Sequence, residues 1–134
     1  MKHIILVFVI AIIAVACGEA KVVDLKLCNQ VTEKECNYDS SRFYAVETDT
    51  LYLTGRLKNV PSKTKISIKW YYFEENAERQ EIAGTDFVTD DGSSKKIYAL
   101  LYPPKSGWPI GKYSVEVMLS VKDSKKSIKR FTME

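Results

Sequence analysis

The chain has 134 residues, 46% of them hydrophobic, and sets 20 basic residues against 17 acidic ones for a formal net charge of +3. That length fits one domain of ordinary size, and the nearly balanced charge excludes the basic surplus with which nucleic-acid-binding domains hold phosphates. The single histidine is His3, so the rest of the chain has no Ser-His-Asp or Cys-His nucleophile, no histidine metal site and no histidine general base.

The first element is a leader. Met1, Lys2 and His3 form a short basic start, and residues 4–16 (IILVFVIAIIAVA) are apolar without interruption. A membrane-spanning helix needs about 20 such residues, whereas the apolar core of an export signal runs roughly 7–15 behind positive charge. Residues 1–16 are therefore predicted to be a signal peptide. Ala14-Val15-Ala16 has the small-x-small form cut by the ordinary signal peptidase.

Read on through Cys17, the same residues spell AVAC, which resembles the lipobox of bacterial lipoproteins, with Ala14 where Leu is usual. The resemblance implies a diacylglyceryl group on the Cys17 sulfur, cleavage just before it and acylation of the new N-terminus. The protein would then be held to a membrane through lipid on Cys17, on the extracytoplasmic side of the cell envelope. Gly18 in place of Asp favours the outer membrane if the source is Gram-negative. The other reading is a plain secreted protein with Cys17 close to its N-terminus. Removing residues 1–16 leaves 118 residues, and loss of Lys2 lowers the net charge from +3 to +2.

The cysteines bear on this choice. There are three, Cys17, Cys28 and Cys36, and an odd cysteine in an exported chain needs its own explanation. An oxidising compartment permits a Cys28–Cys36 disulfide, which leaves Cys17 over for lipid. Such a bridge closes a small loop and contributes roughly 2–3 kcal/mol in the chain-entropy description. The pair lacks CxxC spacing, so no zinc site is expected.

From residue 22 the chain reads as short strands. VVDLKLC (22–28) alternates, with Val23, Leu25 and Leu27 on one face, the period of a half-buried strand. Residues 29–42 are polar and aperiodic. TLYLTGRL (50–57) sends Leu51, Leu53 and Leu57 inward, and TKISIKWYYF (64–73) does the same with Ile66, Ile68, Trp70 and Tyr72. EENAERQE breaks the pattern. EIAGTDFVTD (81–90) is a weaker strand with a bulge expected near Gly84, and Asp91-Gly92 is a hairpin-type dipeptide. KIYALLY (96–102) is apolar on both faces, PPKSGWPIG (103–111) is a loop, and KYSVEVMLSV (112–121) alternates most clearly. SIKRFTM closes the chain with a phase slip expected between Ile128 and Phe131.

Seven or eight short strands, no strong helix and turns every 8–12 residues predict an all-β sandwich. Trp70 on a central aromatic strand and GKYSVEV, with Tyr113 near the start of the penultimate strand, resemble immunoglobulin-like and fibronectin type III-like domains. The resemblance covers most of residues 43–134 and implies an immunoglobulin-like β-sandwich of about seven strands. The expected organisation is a signal peptide at 1–16, a lipid-anchored segment with the first strand and the disulfide loop at 17–42, and the sandwich at 43–134.

No catalytic residues, metal ligands or cofactors are expected. GxGxxG and GxxxxGK[ST] phosphate loops are absent from the sequence, and the adjacent carboxylates Glu74-Glu75 and Asp90-Asp91 read as solvated loops rather than an opposed pair. Binding is the remaining class, with an envelope protein or a glycan as partner; the other reading is a structural subunit of an envelope complex. Tyr71 and Phe73 face away from the core-directed residues of their strand, forming an apolar patch unless another segment covers them. Trp108 is either a loop-tip contact residue or a plug at the end of the core. Lys122, Lys125, Lys126, Lys129 and Arg130, with Lys95 and Lys96, are either solubilising turns or contacts to anionic headgroups.

Overall fold

The computed structural model describes residues 18–90 and 95–134. The predicted leader, Cys17 with its expected lipid, and the predicted Asp91-Gly92 turn lie outside the described residues. Ten strands follow: β1 (Lys21–Cys28), β2 (Val31–Thr32), β3 (Glu35–Cys36), β4 (Arg42–Phe43), β5 (Leu51–Lys58), β6 (Lys65–Phe73), β7 (Gln80–Val88), β8 (Lys96–Leu101), β9 (Gly111–Leu119) and β10 (Ser127–Met133), with one 3-10 turn at Ala45–Glu47. They build a three-stranded sheet in the order β1-β5-β8 and a five-stranded sheet in the order β4-β10-β9-β6-β7, while β2 and β3 pair as a small hairpin.

Alternation explains how the two sheets pack. Leu51, Leu53, Ile97 and Ala99 from one sheet and Ile66, Ile68, Val115 and Val117 from the other join a single buried cluster. Trp70 sits in its middle at 2% exposure, meeting Phe131 edge to face at 6.2 Å. Full burial of one such aliphatic side chain contributes about 1.5–3 kcal/mol. Leu27 of β1 belongs to the same cluster, so the segment before residue 43 and the strands after it share one core.

The structure departs from the sequence expectation in four places. In β1 the register shifts between Val23 and Lys26, and Asp24 there takes a φ of 53°. The bulge reverses the phase, so Val22 and Leu25, rather than Val23, pack on the core beside Leu27. In β7 the bulge falls between the partners of Trp70 and Tyr71, leaving Ile82 without a partner residue, while Gly84 pairs with Lys69 in regular register. Ser114 and Glu116 point to the outer face of the five-stranded sheet and yet are 2% and 8% exposed; over Glu116 the long side chains of Arg79 and Lys126 close. Ile128 faces outward at 39% exposure, so β10 keeps its phase through Phe131 and Met133.

Register also fixes which turns share an end. Lys21 pairs with Lys58, Arg56 with Lys96, Lys65 with Val88 and Ser127 with Val117. The entry of the chain, the β5–β6 turn, the start of β8 and the β9–β10 turn therefore lie at one end. The β4–β5 segment, the β6–β7 turn and the β8–β9 loop lie at the other, here called the far end.

Candidate functional site

The Pro- and Gly-rich β8–β9 loop is built into the far end by three aromatic side chains. Trp108 Nε1 donates to the Thr48 carbonyl at 2.7 Å, Tyr72 donates its hydroxyl to the Ile110 carbonyl at 2.9 Å, and Tyr113 donates to the Pro109 carbonyl. Gly107, at a φ of 90°, closes an internal turn through its N–H to the Pro104 carbonyl at 2.9 Å. Burial, helped by neighbouring Tyr72, pushes the Tyr113 hydroxyl up to about 12, so Tyr113 stays a donor at every ordinary pH.

A loop held this way presents fixed groups. Tyr102 is 67% and Ile110 59% exposed. Between the loop and β7 lies a cleft of about 320 Å³, lined on its apolar side by Ile82, Leu101, Tyr102 and Trp108 and on its polar side by Glu74 and Gln80. Aromatic faces beside a carboxylate and an amide suit a ligand with both apolar and hydrogen-bonding surface. Trp108 itself is 8% exposed and joins the core cluster. It is the plug of the two alternatives, lining the cleft floor from inside.

Tyr71 and Phe73 share the outer face of the five-stranded sheet, apart from Trp108. Tyr71 is covered: the Arg79 guanidinium lies 4.0 Å above its ring centre, a cation–π contact. Arg79 in turn donates to Glu116 Oε1 at 2.7 Å, and this hydrogen bond raises the Arg79 pKa above its ordinary value. Lys126 Nζ approaches the other Glu116 oxygen at 3.5 Å. Of the two readings, open patch or cover by another segment, Tyr71 takes the second, and the cover is a charged one. Phe73 remains 37% exposed in a surface hollow that also holds Lys112, Arg130 and Thr132.

Sequence patterning missed Arg79, Glu116, Tyr102 and Ile110. Arg79 sits in an aperiodic turn and Glu116 on the face alternation assigns to solvent, so neither carries a local signal. Tyr102 follows the last apolar residue of β8 just before two prolines, and that aromatic-Pro-Pro junction was the one available cue.

No family model and no curated protein sequence matches the chain. Among solved structures it is similar to a Bifidobacterium adolescentis GH3 beta-glucosidase, with a TM-score of 0.41 and 13% identity over 84% of this chain. The chain spans 17% of that protein's length.

The remaining predicted residues fall elsewhere. Cys28 and Cys36 are bonded, with Cα atoms 5.8 Å apart. The bond pulls the β2–β3 hairpin back over the outer face of the three-stranded sheet, where the Cys36 amide donates to Thr54 Oγ1 at 3.3 Å. Beside it Lys96 pairs with Glu35 at 2.7 Å, and that hydrogen bond lowers the Glu35 pKa. Among the described residues no group of three His, Cys, Asp or Glu could hold a metal ion, and no helix is long and apolar enough to cross a membrane.

Proposed function

We propose that this chain is a lipid-anchored, non-catalytic binding module of the cell envelope that offers the far-end loop to a protein or glycan. The observation that carries the proposal is the loop itself. Tyr72 and Tyr113 hydrogen-bond its backbone and its own Trp108 bonds the Thr48 carbonyl, while Tyr102 and Ile110 stay exposed. Pre-ordering of exposed apolar groups lowers the entropy cost of association. The AVAC sequence ending at Cys17 supplies the anchor, and the entry of the chain at the opposite end leaves the loop facing outward.

The sandwich is also read as immunoglobulin-like or fibronectin type III-like. Support comes from the sheet order β1-β5-β8 against β4-β10-β9-β6-β7 and from the Tyr113 hydroxyl reaching back to the Pro109 carbonyl, the bond of a tyrosine corner. A second reading, an accessory subunit of an envelope complex, is favoured by β7, an edge strand with Ile82 and Val88 exposed at 41% and 61%.

Two measurements test this. Intact mass of the protein from its native membrane should equal the chain from Cys17 onward plus acyl groups; an unacylated product overturns the anchor. A photo-crosslinking residue at position 102 should give one discrete adduct in cells, and the same residue at position 88 none. The opposite pattern transfers the interface to the β7 edge and supports the subunit reading.

A further inference from the structure

The turns at the entry end of the sandwich are rich in lysine. Lys21, Lys58, Lys63, Lys95, Lys122 and Lys125 are all exposed there, and none forms an ion pair among the described residues. Lys65, Lys96 and Lys126 join them, each paired with one carboxylate. Set against these nine lysines and Arg56 are fewer carboxylates: Glu19, Asp24, Asp86, Asp90 and Asp123, the ion-paired Glu35 and Glu116, and Asp91 next in sequence. At the far end the balance is reversed: Glu47, Asp49, Glu74, Glu75 and Glu78 in its two turns stand against Arg79, Lys105 and Lys112, with Arg42 and Glu134 paired to each other. The small net charge of the chain thus conceals a separation of charge along the strand axis.

The chain also enters at the lysine-rich end without slack. Gly18 already lies against the β5–β6 turn, where a Cβ built on it would stand 2.3 Å from Nδ2 of Asn59. Cys17 is one residue away, and consecutive Cα atoms are about 3.8 Å apart. Resting on the reading that Cys17 carries the anchor, a lipid there brings the bilayer surface to these lysines, well inside the roughly 8 Å over which charges act in physiological salt. The nine-residue strands set the acidic far end about 30 Å away, beyond the screening length.

We infer that the lysine-rich end seats on anionic phospholipid headgroups of the membrane that holds the anchor, and that this contact stands the sandwich upright with its aromatic loop outward. Each lysine brought to an anionic surface strengthens attachment by roughly fivefold. Tilting the molecule over would lift those lysines away and bring the carboxylates of the far end toward the same negative surface, so one orientation is selected. Without the charge contact, a tether at a single residue would leave the module free to lean.

Among the described residues every buried one lies between Leu27 and Met133, so the chain from Cys17 to Glu134 retains that core. Because Cys28 and Cys36 are bonded to each other, the Cys17 thiol of that chain can be coupled to a maleimide lipid in vesicles. Lysine acetylation is then read by mass spectrometry on equimolar phosphatidylglycerol/phosphatidylcholine and on phosphatidylcholine alone. Lys58, Lys63, Lys122 and Lys125 should label at least fivefold more slowly on the anionic vesicles, with Lys105 and Lys112 unchanged, and high salt should erase the difference. Equal labelling on the two vesicle types, or protection of Lys105, overturns the inference. As a second measurement, the untethered chain from Gly18 should lose more than tenfold in sedimentation with the anionic vesicles when Lys58, Lys63, Lys122 and Lys125 are changed to Gln. Changing Lys105 and Lys112 to Gln should cost less than twofold; similar losses in the two variants also overturn it. Neither measurement requires native acylation of Cys17, so failure of the anchor, read by intact mass, is a separate result.

Discussion

Replacing Trp108 by alanine is the sharpest probe of the far end. Its ring joins the core cluster and its Nε1–H holds the Thr48 carbonyl at 2.7 Å, joining two loops 60 residues apart in sequence. Truncating a buried tryptophan removes contact area and leaves a cavity, a cost of about 3–5 kcal/mol. The orphaned carbonyl next to buried Thr48 falls within that figure if water reaches it and adds about 1 kcal/mol if it does not. Against a total stability of about 5–15 kcal/mol, the substitution removes a large share. For a domain of this size the melting temperature should drop by roughly 12–20 °C. Trp108→Phe keeps most of the apolar volume and loses the hydrogen bond, so it should cost about 1–2 kcal/mol. Urea unfolding followed by Trp70 fluorescence measures both, since Trp70 lies at the centre of the core. A cost below about 1 kcal/mol for Trp108→Ala would refute the reasoning: Trp108 would then be a surface contact residue and the loop would not be built on it.

Three further outcomes follow from the same geometry. Changing Cys28 and Cys36 together to Ser should lower stability by about 2–3 kcal/mol and speed exchange of the Cys36 amide, which loses its fixed approach to Thr54, as read by hydrogen exchange. Gly111→Ala forces a side chain onto a φ of 143° and sets its Cβ 3.3 Å from the Tyr72 ring, so thermal unfolding should report a loss of about 1–3 kcal/mol, with under 0.5 kcal/mol counting against the close approach. Tyr113 has a folded-state pKa of about 12 against about 10 when unfolded. The unfolded chain loses its proton first, so stability from Tyr113 is intact below pH 10 and falls between pH 10 and 12; Tyr113→Phe should flatten that decline in a pH series of melts.

The central strands were legible because they are short, two-faced and separated by turn residues. Leu51, Leu53, Ile66, Ile68, Val115 and Val117 all point where alternation sends them. What alternation could not supply were the points where the backbone gains a residue. The bulges at Asp24 and Ile82 reverse the phase without any Gly or Pro to announce them, and Gly84, which does carry that signal, pairs normally. Site residues failed for a related reason. The cap on Tyr71 depends on Arg79 of the β6–β7 turn meeting Glu116 of β9, 37 residues away in sequence, and such a pairing leaves no trace in local spacing. Trp108 could be weighed as contact or plug, but only the position of the Thr48 carbonyl separates the two.

The closed outer face bears on where the proposed binding module would act. Tyr71, Arg79, Glu116 and Lys126 together shield the middle of the five-stranded sheet, and the disulfide-tied hairpin lies over the three-stranded one. With both broad faces partly occupied by the chain itself, its free recognition chemistry is drawn to the ends. Those ends differ in kind: lysines bunched around the entry of the chain, aromatic and apolar groups on a braced loop at the other. A strongly hydrated ammonium gains from an anionic surface without needing a shaped pocket, whereas exposed tyrosine and isoleucine gain only from a complementary partner surface. Under the proposed function, non-specific attachment and specific recognition call for different chemistries, and the strand axis separates the residues that would supply them.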